Sequence, residues 1–308
     1  MPNTLAHIGV QGLLNQAVKP GVDPKLVCLG CLLPDLPWIF QRVLLGILPG
    51  TDPYTIRLYC IAQASLVVTL VLCAALAFLS KTPKAVFMIL GVNVLLHLVL
   101  DGLQTKWANG VHFFAPLSWD LWNIGLFWPE SLPTYLMTLG GLLYIGWQWR
   151  KGISQPLPIS HLPPFKVAIS ASLLLLYFAL PLVLIEGPRN ANNHFVRTLE
   201  ETESRPGRPL ELDRSHYVKT PAGDILGIFT GETIGTTQEI LNHSATVSVR
   251  GRFMTPTQLE VLEFHEHSSW FRDTGSYLGI LLLFGMWLGA FLKQGLFYSS
   301  TNSDHNSS

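Results

Sequence analysis

The stretch "LLHLVLDGLQTKWANGVHFFAP", residues 95 to 116, ends an apolar run yet carries His97, Asp101 and His112. On a helix, residues four apart lie on one face, one turn apart, so His97 and Asp101 stand together. Ionisable side chains in hydrocarbon are costly, and there they mark a functional site or a buried polar pair. The stretch therefore reads as a membrane helix that ends in a polar site.

The rest of the chain agrees. Of 308 residues, 49% are hydrophobic and 13% charged, about half the charged share of a soluble domain. Net charge is zero and no basic run is present, which argues against a nucleic-acid partner. Five windows approach the roughly 20 residues a spanning helix needs: 58–80, 85–100, 131–149, 167–185 and 274–292. The first 50 residues are apolar too, but Pro20, Pro24, Pro34, Pro37 and Pro49 break them into short helices lying on or partly in the membrane. The start "MPNTLAHIGVQGLL" has no basic n-region or cleavage site of a signal peptide.

With five spans, Lys81, Lys84, Arg150, Lys151, Lys166 and Lys293 share one side, the cytoplasmic one by the excess of basic residues. The opposite loop, 101–130, holds Trp107, Phe113, Phe114, Trp119, Trp122, Phe127 and Trp128, an interfacial aromatic belt. On this topology Lys19, Lys25, Arg42 and Arg57 would lie outside.

Residues 187–273 hold 21 of the 40 charged residues and form a module of another kind. "DILGIFTGETIG", "SATVSVRGRF" and "QLEVLEFHEH" read as strands, with Val247, Val249 and Phe253 on one period-2 face. Their size suits one small β-barrel or sandwich, OB-like, on the extracytoplasmic side. The expected organisation is a helical core at 1–130 with two spans, a helix pair at 131–186, the β-module at 187–273, a last span at 274–293 and a disordered tail at 294–308.

Cys28, Cys31, Cys60 and Cys73 fall in apolar segments, against a secreted disulfide framework. "CLGC" has no second pair to complete a zinc site, so these are read as small apolar helix residues. His265 and His267, at i and i+2 on one strand face, could chelate, but read more simply as an exposed pair at a strand end. "TGE" at 230–232 reads as a turn.

Imidazole and carboxylate are common ligands for zinc and similar divalent metals. His7 and Asp35 ("CLLPDLPW") are further polar groups in apolar runs, and with Asp101 and His112 they can reach one membrane face. One shared polar site accounts for them better than four isolated defects.

The run from His7 through "LPDLPW" to "HLVLDGLQTKWANGVHFFAPLSW" resembles the membrane-bound metal-dependent hydrolases, the LexA-binding, inner-membrane-associated (YdjM-like) family, over residues 1–125. That family is distantly similar in fold to the all-helical zinc-dependent phospholipase C and P1 nuclease. The resemblance implies a divalent metal, zinc or else manganese or iron, held by His7, Asp35, His97 and Asp101 with His112 as a fifth ligand. It implies Asp35 or Asp101 as catalytic base and the bacterial inner membrane as location. Two departures stand out: Leu36 and Pro37 replace a second acid, and "YCIAQAS" (59–65) stands where the family has "HRGxTHS".

Two functions follow as expectations. One is a metal-dependent hydrolase acting at the bilayer surface on a phosphoester or lipid head group. The other is a non-enzymatic membrane protein whose β-module binds an envelope protein, with a structural or decayed metal site. Membrane lipids are partners in both.

Overall fold

The computed structural model describes residues 3–47, 50–155, 163–221, 223–268 and 270–305, with side chains as far as residue 294. Pro49 and Ala222 of the "PAGD" turn lie outside the described residues. Among the described residues, eleven α-helices and five strands are arranged as a helical bundle carrying a β-barrel between its last two long helices.

Helix starts follow from caps. Asn3 caps α1 (Thr4–Val18) by accepting from the Ala6 N–H, and its amide donates to Thr138 Oγ1 at 2.9 Å. Asp23-Pro24 opens α2 (Pro24–Leu32) and Asp52-Pro53 opens α4 (Pro53–Gln63). In both, a carboxylate satisfies free N–H groups and proline occupies the first turn, where it loses nothing. Between α2 and α3 (Leu36–Ile47), "LPD" forms a single 3₁₀ turn. Pro34 and Pro37 each remove a backbone donor there, so the helical ladder tightens and breaks around Asp35.

Four segments are long and apolar enough to cross a membrane: Pro24–Ile47, Pro83–Leu103, Pro164–Asn190 and Phe271–Gln294. They correspond to α2–α3, α6 (Pro83–Leu103), α8 (Pro164–Leu184) with the short α9 (Glu186–Asn190), and most of α11 (Phe271–His305). Four sequence expectations change. Residues 24–47 qualify as a span in spite of their prolines, because the break is a single turn. The 58–80 window is α4 and α5 (Leu66–Phe78), bent by 69° at Ala64–Ser65, and makes a fifth span only if the pair counts as one. The 131–149 window is a helix, α7 (Leu132–Ser154), but Thr, Gly, Tyr, Gln and Trp dilute its apolarity. The tail expected to be disordered continues α11 to His305. It contains no Gly or Pro after Gly295, so nothing stops a helix that α11 has already nucleated.

Helix α1 lies backbone to backbone on α7. A Cβ on Gly141 would overlap the Leu5 carbonyl, and one on Gly9 would overlap the Met137 carbonyl, so small residues set this approach.

At one end of the bundle, Lys25 Nζ donates to the Gly152 and Gln155 carbonyls at 2.8 and 3.2 Å. Lys166 donates to Ser80 O at 3.2 Å, Lys293 to Ser154 Oγ at 3.1 Å, and Lys19 shares a groove with Lys84. Lys19 and Lys25 therefore join the basic end instead of facing it. The hairpin of α1 and α2 turns at Lys19–Asp23 and brings both lysines there. Arg42 and Arg57 lie at the other end, against the barrel.

The barrel is closed, in the order β1-β2-β3-β5-β4, with β3–β5 the one parallel pair among the described strands. The strands are β1 (Pro209–Val218), β2 (Ile225–Gly227), β3 (Thr233–Thr236), β4 (Ala245–Phe253) and β5 (Gln258–His267). Val247, Val249 and Phe253 point into a core with Leu210, Tyr217 and Leu259, as their period-2 spacing predicts. The strands expected from the sequence do not include β1. A bulge between Leu212 and Ser215, with Arg214 at φ 55°, breaks its alternation. A short α10 (Val196–Glu200) leads into the barrel. Arg205, fully buried, ties the two by donating to Leu199 O, Pro256 O and the Glu232 carboxylate. "TGE" is a turn, with Gly231 at φ 86°, and its Glu232 also serves as the partner of Arg205.

Candidate metal centre

His97 and Asp101 occupy the last two turns of α6, on the face predicted from their spacing. The close α1–α7 contact lays His7 over them, and the His7 and His97 rings stack with centroids 3.8 Å apart. One ligand atom from each of His7, His97 and Asp101 lies within 4.8 Å of the other two. The broken turn between α2 and α3 adds Asp35, with Oδ1 3.5 Å from His97 Nε2. Both histidines are fully buried and Asp101 is nearly so.

Hydrogen-bond bookkeeping shows what this cluster lacks. His97 Nδ1 lies 2.6 Å from the Cys31 carbonyl. A carbonyl only accepts, so Nδ1 carries the proton, and a neutral His97 presents a lone pair at Nε2. That lone pair faces Asp35 Oδ1 at 3.5 Å and Asp101 Oδ2 at 3.7 Å, both acceptors. His7 Nε2 lies 3.4 Å from Asp101 Oδ1. His7 Nε2, His97 Nε2, Asp35 Oδ1 and Asp101 Oδ1 are all buried without a hydrogen-bond partner. Such orphans are uncommon in folded proteins. Ligand atoms on a tetrahedral ion at about 2.0–2.1 Å stand roughly 3.3–3.4 Å apart, close to these separations. The residues present thus fit a divalent cation, and the Cys31 carbonyl holds the His97 ring in the way an outer partner holds a metal-binding histidine. Lys106 Nζ, 3.1 Å from Asp101 Oδ2, supplies one positive charge already.

His112, implied as a fifth ligand, does not join this group. The Val111–Trp122 bridge turns the loop away after Gln104, and the His112 ring packs near Trp119, centroids 5.6 Å apart. Burial pushes its pKa down to about 4, so it stands neutral. At the α4–α5 break, the "YCIAQAS" segment brings Gln63 and Ser65 and no histidine.

A polar cavity of about 550 Å³ opens between the bundle and the barrel. Trp38, one turn after Asp35, lines it, as do Ala108 and Asn109 of the loop that carries Lys106. Four arginines face it, Arg42, Arg57, Arg214 and Arg272, together with Glu211, Asp213 and Asp273. The Arg57 guanidinium lies over Trp38 and Phe229, 5.1 and 4.9 Å from the ring centroids, and reaches His194 Nδ1 at 3.1 Å. Burial, with the Arg57 charge beside it, holds His194 far below the usual imidazole range. Ala108, His194 and Arg214 line the cavity with φ of 57°, 54° and 55°. Non-glycine residues in that region cost on the order of 1–3 kcal/mol each and gather at functional sites.

The site residues expected from the sequence do not include Lys106, Arg57 or His194. Lys106 has a usable signal as the lone lysine in an aromatic loop just after Asp101. His194 has none, since "NNHF" has no pattern linking it to Trp38. Comparison of the chain with protein-family models, with curated proteins and with solved structures finds no match.

Proposed function

We propose that this protein is a membrane-bound, metal-dependent hydrolase that acts on a phosphoester or lipid head group at the membrane face carrying the barrel. The observation that carries the reading is the buried convergence of His7, His97, Asp35 and Asp101, with nitrogen–oxygen separations of 3.4–3.7 Å and an atom on each without a hydrogen-bond partner. With no family match, the reading rests on the site; the sequence resemblance to the YdjM-like hydrolases points the same way.

In this reading His7, His97 and Asp101 hold a zinc-class divalent ion, which would lower the pKa of a water and offset negative charge developing on the substrate. Asp35, outside the mutual triad, is placed to accept the proton of that water. Lys106 steadies Asp101 and offers a cation to an anionic group. The arginine-lined cavity next to Trp38 suits a phosphate-bearing head group, for which guanidinium is the preferred partner. Outside the barrel module, Lys19, Lys25, Lys81, Lys84, Arg150, Lys151, Lys166 and Lys293 at the far end outnumber Arg42, Arg57 and Lys106 at the barrel end. This supports an orientation with the far end in the cytoplasm and the barrel outside, in a bacterial inner membrane. The barrel's strand order, with β3 parallel to β5, supports the OB-like reading.

One observation favours the non-enzymatic alternative. Lys106 already neutralises part of Asp101, as a metal-free polar cluster would require. The test is hydrolysis of bis(p-nitrophenyl) phosphate and of phospholipid vesicles by zinc- or manganese-loaded protein in detergent. We expect turnover that falls at least about 100-fold in Asp35→Asn with metal retained. A monodisperse, metal-loaded protein that hydrolyses no phosphoester would leave the binding-protein reading in its place.

A further inference from the structure

A second group of metal-type donors lies away from the first. Glu130, in the turn before α7, meets His265 and His267 at the end of β5, with one ligand atom from each within 4.8 Å of the others. Two histidines and a glutamate are a donor set that binds zinc. The seam joins two points where the chain enters the bundle, the start of α7 and, after His267, the start of α11.

Proton bookkeeping again leaves acceptors facing acceptors. The Ser248 hydroxyl is 3.1 Å from Asp213 Oδ1 and donates to it, since a carboxylate only accepts. Ser248 has one hydrogen, so its oxygen must accept from His267 Nε2 at 2.8 Å. Nε2 thus carries a proton, and a neutral His267 turns the Nδ1 lone pair toward Glu130 Oε1, 3.0 Å away. His265 Nε2 and Glu130 Oε2 are 3.7 Å apart, too far for a hydrogen bond, and both atoms are buried without a partner. Either an extra proton or a cation belongs between these groups.

The surroundings resemble an outer shell that orients ligands. Ser248–Asp213 fixes the His267 tautomer, and Trp128 stacks on His265 at 3.7 Å and 5° between ring planes. Arg214 Nη1 bonds Glu130 Oε1 at 3.1 Å, which leaves Oε2 as the open ligand oxygen. The His265 side chain is 28% exposed although its Nε2 is buried, so the group lies just beneath the surface.

We propose that Glu130, His265 and His267 form a second divalent-cation site of the zinc class, which fastens the barrel to the aromatic loop beneath it. This site is independent of the hydrolase reading and stands or falls separately.

The experiment is zinc counting by mass spectrometry on full-length protein in detergent, stripped with chelator and reloaded with zinc alone. Wild type, Glu130→Gln, His265→Gln and a His97→Asn, Asp101→Asn double variant are compared. Glu130→Gln keeps the side chain's size and its contact with Arg214, so it should fold. We expect about two zinc ions in wild type, and loss of one in each variant. As a second readout, zinc should raise the melting temperature of the His97→Asn, Asp101→Asn protein, and adding Glu130→Gln should abolish that rise. An unchanged count in monodisperse Glu130→Gln and His265→Gln proteins would overturn the proposal and leave a protonated ion-pair cluster. A single zinc lost only with His97 and Asp101 would overturn it too, while sparing the first site.

Discussion

Substituting Gly141 with alanine tests how the bundle holds His7. A Cβ at this position would lie 2.8 Å from the Leu5 carbonyl carbon and 3.2 Å from its Cα, and would overlap the carbonyl oxygen. All three are backbone atoms, so no rotamer change relieves the clash. Restoring a carbon–carbon contact of about 3.5 Å requires α1 to retreat by at least ~0.7 Å. His7 lies two residues beyond Leu5 and moves with it. Functional constellations tolerate about 0.5 Å of misplacement, so His7 should leave the His97–Asp101 pair. Overpacking of this kind costs typically 1–3 kcal/mol, partly offset by the ~1 kcal/mol that alanine gains over glycine in a helix. Because the overlapped atoms are all backbone, the net loss of stability should reach about 2 kcal/mol, and zinc affinity at this site should fall at least about tenfold. Gly146 is the control, because a Cβ added there on the same helix meets nothing within 4 Å, and Gly146→Ala should leave affinity unchanged. Zinc titration against a competing chelator reads both variants. A Gly141→Ala protein with wild-type affinity would refute the claim that this contact positions His7.

Three further outcomes follow from other parts of the molecule. His112 has its pKa lowered to about 4 by burial, while the unfolded chain protonates near 6.5. The unfolded state therefore binds more protons in that window, and up to about 3 kcal/mol of stability present above pH 6.5 is lost as pH falls toward 4. His112→Gln should flatten this part of the curve in thermal unfolding at pH 7.5 and 4.5, and an unaltered pH dependence would argue against it. Glu232→Gln leaves the buried Arg205 without its carboxylate, and should cost on the order of 2–3 kcal/mol in barrel stability without changing zinc content; loss of zinc would mean that the barrel and the His97 site are coupled. With all four native cysteines buried, Glu263→Cys should react with an impermeant maleimide from outside intact cells and Lys81→Cys should not; the reverse pattern would invert the proposed orientation.

Much of the helical site is legible in the sequence because its signals are local. The i, i+4 pair on α6 sits where the spacing puts it, and Asp35 lies between prolines that force a turn around it. The location of His112 is not legible, because a loop bridge between Val111 and Trp122 decides it and no periodicity encodes such a bridge. Lys19 and Lys25 sit at the end opposite to the expected one for a related reason. Which end of the bundle the Lys19–Asp23 turn occupies depends on how α1 lies on α7, with Gly9 against Met137, and that packing is tertiary. In the barrel, β4 is readable from Val247, Val249 and Phe253 and β5 from Leu259 and Val261, in spite of a register shift between Arg250 and Gly251, whereas the bulge at Asp213–Arg214 hides β1. Glu130 belongs with His265 and His267 across a long stretch of intervening chain, and only folding brings them together.

The central claim is that His7, His97 and Asp101 hold a divalent metal. Its most direct test is the metal content of purified, folded protein beside a His97→Ala, Asp101→Ala double variant, both counted by mass spectrometry. The account predicts zinc, manganese or iron near stoichiometry in wild type, with one ion lost in the variant. An intact wild type without metal, or a variant that keeps the full count, would contradict it.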